Sequence, residues 1–291
     1  MGRGTALKIE ETSDRLIICG DGFTIPFDRK TGFVCNVKVG NEVVIDKGPF
    51  MNMYVNLNHL SGAEVRKIAN YYSTEDSDWT LESMVCNKLS GGNVSVEVKG
   101  HAKDVKFQYQ MLITPSGKMT ISYAVDGLPN GYLRETGLKF YLSEDVKHLS
   151  WQRDGYWDCY PDSAFAGNKG DCSLYQSRQA GYSERPVQEW QDDTHNYYWA
   201  DRGANCNRPL TQKAKGMKEN IYYYTVSTDA RHQLSVVSTD AKLACRMNKM
   251  PDEQLVIYIN NRWDYPEIAW GNYCKTIEAL PCYGVIEMRI K

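Results

Sequence analysis

The feature that most constrains this chain is the recurrence, along nearly its whole length, of short alternating or apolar segments closed by turn residues. "NVSVEVKG" (residues 93–100) alternates strictly, so a pleated strand places Val94, Val96 and Val98 on one face. "VKFQYQMLITPSGKMTISYAVDG" (105–127) reads as a hairpin with Pro115 and Gly117 at the turn. "RLIICG", "FTIPFD" and "GFVCNVKVG" follow one another near the start; in the "DRKTG" between the last two, Asp28 bonds the backbone ahead and Gly32 supplies a positive φ. "GLKFYLSE", "IYYYTVST", "HQLSVVST", "LVIYINN" and "GVIEMRIK" have the same character. About fifteen strands at spacings of about 8–12 residues predict an all-β fold, a large antiparallel two-sheet sandwich. The expected unit is one domain over 1–291, long enough to bury its own core. Helical signals are few. "SGAEVRKIANYY" (61–72) has a capping-box pattern, Ser61 with Glu64 three residues on, and "DYPEIAWGNYCKTIEAL" (264–280) fits either class.

That organisation excludes several functions. A (β/α)₈ barrel needs alternating helices that this sequence does not offer. The fingerprints of dinucleotide sites, phosphate loops, nucleophile elbows and zincins are absent. With 34 basic and 36 acidic residues and no Lys/Arg run, a nucleic-acid partner is not expected. No apolar stretch approaches the length of a membrane span, and "MGRGTALKIEETSD" lacks the apolar core of a signal peptide. The nine cysteines form no C-x-x-C and no zinc spacing. They read as small inert hydrophobes, with Cys159–Cys172 the pair that an oxidising compartment would join. No metal and no cofactor is expected.

Three segments concentrate chemistry. In "QRDGYWDCYPDSAFAG" (152–167), Asp154, Asp158 and Asp162 fit either paired carboxyls for glycoside hydrolysis or the backbone ties of a turn. The second reading is preferred, because nothing in the segment raises a carboxyl pKa. "SERPVQEWQDDTHNYYWADRG" (183–203) clusters Glu184, Arg185, Glu189, Asp192, Asp193 and His195, which suits either proton transfer or a polar loop at a sheet edge. "NNRWDYPEIAWGNY" (260–273) is the most suggestive sugar-binding sequence: Trp263, Tyr265, Trp270 and Tyr273 crowd a segment that carries Asn260, Asn261, Asp264 and Asn272. Aromatic rings stack on the C–H faces of sugars while amides and carboxylates bond the hydroxyls. The chain holds 20 Tyr and 7 Trp against 7 Phe; that bias suits wet ligand-facing surfaces and ordinary strands equally.

Taken in order, these segments resemble the C-terminal domain of glycoside hydrolase family 2 β-galactosidases, the small-chain, fifth-domain-like β-supersandwich. "FDRKTGFVCNVKVGNEVVIDKGPFMNMYV" is similar to that domain's opening hairpin and Gly-Pro strand. "GLKFYL" with "LSWQRDGYWDCYPD" is similar to its Gly-basic-aromatic strand and Tyr-Pro-Asp motif. "RPVQEW", "TVSTDARHQLSVV" and "AWGNY" resemble its Pro-Gln-Glu segment, its Thr-Asp strand pair and its closing Trp loop. The resemblance implies a galactose mutarotase-like supersandwich at the end of a longer retaining β-glycosidase. The catalytic glutamates would then lie on a separate barrel, and this chain would lend a Trp to the mouth of the sugar pocket. Trp270 is the matching position. The approach "WDYPEIAWGN" departs from the family pattern and leaves Trp263 as a competitor, with Asp264 and Asn272 as polar partners.

Three functions follow as expectations. The first is a domain without chemistry of its own, partnered by the parent's catalytic barrel and a β-galactoside or related β-glycoside, and assembled into any oligomer through the parent. The second is a stand-alone aldose epimerase, for which His59, His101, His195 and Glu189 are the available acid and base. The third is a carbohydrate-binding module resting on the Trp loop. The parent is expected to be periplasmic or secreted, alternatively cytoplasmic.

Overall fold

The computed structural model describes residues 6–57, 70–75, 78–155, 168–174, 200–201, 217–250, 254–263 and 282–291. These residues form nineteen strands and one 3₁₀ turn, Ser90–Gly92. In chain order the strands are β1 (Lys8–Glu11), β2 (Arg15–Gly20), β3 (Phe23–Asp28), β4 (Val34–Val39), β5 (Glu42–Leu57), β6 (Asn70–Tyr72) and β7 (Trp79–Lys88). They continue with β8 (Val94–Ala102), β9 (Val105–Ile113), β10 (Lys118–Asp126), β11 (Gly131–Leu142), β12 (Val146–Arg153) and β13 (Lys169–Ser173). The last six are β14 (Ala200–Asp201), β15 (Lys218–Thr228), β16 (Gln233–Val237), β17 (Leu243–Lys249), β18 (Leu255–Trp263) and β19 (Cys282–Ile290).

The predicted all-β antiparallel class is what the chain adopts. Hydrogen-bonded neighbours trace one ribbon, β1-β2-β3-β4-β5-β11-β18-β17-β15-β16-β19-β10-β9-β8-β7, with every pairing antiparallel. β6 adds to β5, and β12 with β13 adds to the far edge of β15. The two-residue β14 pairs parallel to β17. The ribbon turns its corner at β15. Its residues Lys218 and Ile221 pair with β17, with a register shift between them, and its residues Tyr223–Ser227 pair with β16. A single strand therefore serves both sheets, the device by which sandwiches make corners.

Folded this way, the two ends of the ribbon face each other. The β3–β4 turn sits on β7–β9: Phe33 packs 5.2 Å from the Trp79 ring, and Trp79 Nε1 donates to the Thr31 carbonyl at 2.9 Å. The Tyr109 hydroxyl donates to the carbonyl of Gly32. Between the layers lies a connected apolar core that includes Ile18, Ile25, Phe27, Val96, Val98, Phe107, Ile121, Ile286 and Met288. Val94, Val96 and Val98 share the core face, and the β9–β10 turn falls at Thr114–Gly117, where Gly117 N donates to the Thr114 carbonyl. Both match the reading of the sequence.

The "DRKTG" turn also forms as its residues dictate. Asp28 Oδ1 accepts from the backbone N–H of Lys30 at 2.7 Å and of Thr31 at 3.1 Å. Gly32 takes φ +75°, and a Cβ there would lie 2.7 Å from Val98 Cγ1 and 2.9 Å from Leu81 Cδ1. One expectation is corrected. The window 61–72 does not end in helix, because Asn70–Tyr72 pair with Val55–Met53 as β6. The Tyr71 ring stacks 4.5 Å from Tyr54 on the neighbouring strand, a cross-strand aromatic pair that favours the extended form. Residues 61–69 lie outside the described residues.

Gly32→Ala is expected to destabilise the chain by about 1–3 kcal/mol, from the left-handed backbone and the closed gap beneath it. Urea unfolding checks this: the midpoint falls while the slope stays constant.

Candidate functional site

β5, β11, β18 and β17 lie side by side, and their alternation separates two faces. Met51, Met53, Phe140, Ile257, Ile259, Cys245 and Met247 point into the apolar core. The opposite face is polar and carries Asn52, Glu135, Lys139, Arg246, Tyr258 and Asn260, all of them buried.

Glu135 is the hub of this face. Its Oε1 accepts from Asn52 Nδ2 at 2.8 Å, from Asn260 Nδ2 at 2.9 Å and from Arg246 Nε at 3.1 Å. Its Oε2 accepts from a second guanidinium nitrogen of Arg246 at 3.3 Å. The Glu135 and Arg246 side chains are 0% and 1% exposed, so the pair is wholly removed from water. Arg246 also lies flat over Tyr258, its Cζ 3.5 Å from the ring centroid. A carboxylate supplied with this many donors is fixed in place.

The backbone makes this convergence feasible. Gly137 stands opposite both Asn52 and Asn260 in register. The two asparagines come from strands on either side of β11, yet Asn52 Nδ2 donates to Asn260 Oδ1 at 3.0 Å. They meet above Gly137, where a Cβ would lie 2.7 Å from Asn260 Oδ1 and 2.0 Å from the Ile259 carbonyl. Both registers of β11 also slip here, between Leu133 and Glu135 against β5 and between Thr136 and Gly137 against β18. Both faces of β11 are covered here: Glu135 lies on the polar face, the adjacent Thr136 lies opposite Met53 on the core face, and both are buried.

Further along the same face, Lys139 forms an ion pair with Glu75, and Lys47 Nζ lies 3.9 Å from the same carboxylate. Lys47 Nζ is also 4.1 Å from the centre of the Tyr141 ring. Burial, followed by the hydrogen bond to Glu75, pushes the Tyr141 phenol far above its ordinary range; burial does the same to Tyr54. These hydroxyls remain protonated at neutral pH. Cys19, Cys35, Cys86, Cys245 and Cys282 are free thiols, and burial raises the pKa of each. Raised thiols are poor nucleophiles, in keeping with the inert role expected of them.

The residues singled out in the sequence are distributed as follows. Trp263 ends β18, half-buried, opposite Glu135. Asp264, Trp270 and Asn272 lie outside the described residues, as do His59, Asp158, Cys159, Asp162 and the cluster Glu184, Arg185, Glu189, Asp192, Asp193 and His195. His101 pairs with Glu82, His148 with Asp229 and His232 with Glu42, each at 2.8–2.9 Å and none with Glu135. Asp154 is tied to β15 through its backbone: its N–H donates to the Asn220 carbonyl at 2.8 Å, and its carbonyl accepts from Asn220 Nδ2 at 3.1 Å. Gly155 N–H donates to Asn168 Oδ1 at 3.0 Å. Asn260 and Asn261, read as sugar ligands, are engaged within the protein: Asn260 with Glu135, and Asn261 with Tyr123 and Val285. Sequence reasoning missed Glu135, Arg246 and Asn52. The available signal was a charged residue at a strand-interior position among apolar neighbours, as in "LACRMNK".

Fold and site together define an all-β antiparallel protein of sandwich type, with a saturated carboxylate buried on the polar face of one sheet. Within that class the chain is a member of a known family: the model described as "Beta galactosidase small chain" matches residues 19–186, more than half the sequence, and the chain belongs to it. Among solved structures it is similar to a galactose 1-epimerase from Lactobacillus acidophilus NCFM, at 9% identity and TM-score 0.44, covering 98% of each chain. An aldose epimerase homologue from C. elegans aligns at 10% identity and TM-score 0.47, over 98% of this chain and 99% of that one. A beta-arabinopyranosidase aligns at 10% identity and TM-score 0.47, over 94% of this chain and 40% of that one. No curated protein matches the sequence.

Arg246→Met strands the Glu135 charge in a dry environment and is expected to cost about 3–5 kcal/mol. The double variant Arg246→Met/Glu135→Leu removes both charges and is expected to recover most of that loss. A double-mutant cycle from urea unfolding measures the coupling.

Proposed function

We propose that this chain is a single, non-catalytic domain over 1–291, at the C-terminus of a β-galactosidase-like retaining glycoside hydrolase of family 2, and that it completes the sugar pocket of a separate catalytic barrel. Membership of the small-chain family supports the placement. The observation that supports the non-catalytic reading among the described residues is the saturation of Glu135: its carboxylate is 0% exposed and accepts from Arg246, Asn52 and Asn260, so it serves the fold and does not face a ligand. Epimerisation needs a base and an acid on opposite sides of a sugar ring, each able to gain and lose a proton in turn. The tyrosines of this face, with their raised pKa, are unsuited to the part of base.

The sugar contact is assigned to the segment that begins where β18 ends. Trp270 provides the stacking ring, with Trp263 as the other aromatic and with Asp264 and Asn272 as hydroxyl partners. An aromatic platform flanked by short polar side chains suits a β-galactoside or a related β-glycoside. Hydrolysis would proceed on the barrel through a covalent glycosyl-enzyme, with this domain shaping one wall of the pocket.

Polarimetry of freshly dissolved α-galactose and α-glucose tests the reading. The purified chain is expected to leave the spontaneous mutarotation rate unchanged. Acceleration proportional to protein concentration would replace this reading with that of a stand-alone epimerase. Trp270→Ala is expected to weaken binding of methyl β-galactoside to the chain by about tenfold, the scale of one lost stacking contact.

A further inference from the structure

β18 carries two adjacent asparagines that face opposite ways. Asn260 turns to the polar face, where its Nδ2 meets Glu135 at 2.9 Å. Asn261 is the residue left out of the β11–β18 register, since Gly137 pairs with Asn260 and Thr136 with Arg262. Freed from the ladder, it reaches across to the other sheet. Its Oδ1 accepts from the Tyr123 hydroxyl of β10 at 2.9 Å, and its Nδ2 donates to the Val285 carbonyl of β19 at 2.9 Å. Gly284 clears the space, for a Cβ there would lie 2.2 Å from Asn261 Oδ1. Tyr123 is itself 3% exposed, so this anchor is fixed in the core.

The end of β18 is therefore pinned from both sides one turn of the pleat before Trp263. Bulges commonly re-aim the side chains that follow them, and here the bulge is locked by two independent sets of hydrogen bonds. We infer that Asn261 is a positioning residue: by tying β18 to β10 and β19 it sets the direction in which Trp263 is presented to a sugar. The inference rests on the reading that the segment starting at Trp263 contacts carbohydrate. Asn261 spends one hydrogen bond at each end of its amide on this anchor.

The test is a double-mutant cycle on the full chain, with methyl β-galactoside as the probe. Asn261→Ala removes both anchoring bonds and is expected to weaken binding about fivefold, and to have no further effect once Trp263 is Ala. Equal losses in both backgrounds, or no loss, would overturn the positioning role. Loss of binding in Trp270→Ala, with Trp263→Ala and Asn261→Ala unaffected, would overturn it while leaving the sugar reading intact. Absence of any binding by the unaltered chain would instead overturn the sugar reading. A sugar-independent measurement decides the positioning claim even then. The Trp263 emission, taken as the difference between each chain and its Trp263→Phe counterpart, is expected to shift red and become more quenchable by acrylamide in Asn261→Ala. An unchanged spectrum overturns the inference. Should Asn261→Ala fail to fold, Tyr123→Phe removes one bond of the same anchor without changing core volume, and the same spectral shift is expected.

Discussion

One buried carboxylate organises the polar half of this molecule. Glu135 is contributed by β11, and its donors come from β5, β17 and β18, so a single charged group fixes the relative positions of four strands. A buried ion pair adds little net stability by itself, because desolvating two charges offsets most of their attraction. Its contribution is to specificity of arrangement. A one-residue slip of either neighbour along β11 would leave the charge with missing donors, a far larger penalty than a displaced methyl group.

The rest of the architecture is compatible with that requirement. A ribbon of antiparallel strands tolerates bulges, and the two slips beside Glu135 leave Arg134 without a partner on β5 and Asn261 without one on β11. Gly137 then allows the flanking asparagines to close over the strand between them. On the reverse side of the same strands, methionines and branched residues complete the apolar core. One set of strands thus presents a dry hydrocarbon surface on one side and a buried polar network on the other, with β15 carrying the ribbon around into the opposing sheet.

Much of the fold is legible in the sequence, because period-two alternation and turn chemistry are local signals. Val94, Val96 and Val98, the Asp28 turn and the 114–117 hairpin turn need only their immediate neighbours to be understood. The strand at 70–72 was hidden because its helix-like prefix outweighs three residues whose extended form is secured by Tyr54, far away in sequence. The polar hub was hidden for the same reason. In "YLRETGLKF" the glutamate looks like a surface residue, and nothing nearby indicates that Arg246 and Asn260 will reach it. Asn260 was visible as a chemically rich residue, but its partner was not, so its role was read as recognition when it is internal support. The family, by contrast, was legible through ordered motifs, since a resemblance integrates long-range constraints that single segments do not show.

The Glu135 network also bears on how the chain reaches its native state. Its three hydrogen-bonded partners are separated from it by 83, 111 and 125 residues. Contacts of such range close late, after the entropy of the intervening loops has been surrendered. Until then the carboxylate has water as its only adequate solvent, and collapse of the surrounding strands without its donors would trap a bare charge in hydrocarbon. Partly docked arrangements of the central sheet are thereby penalised. The residue that makes the finished structure unambiguous makes its half-formed versions unstable.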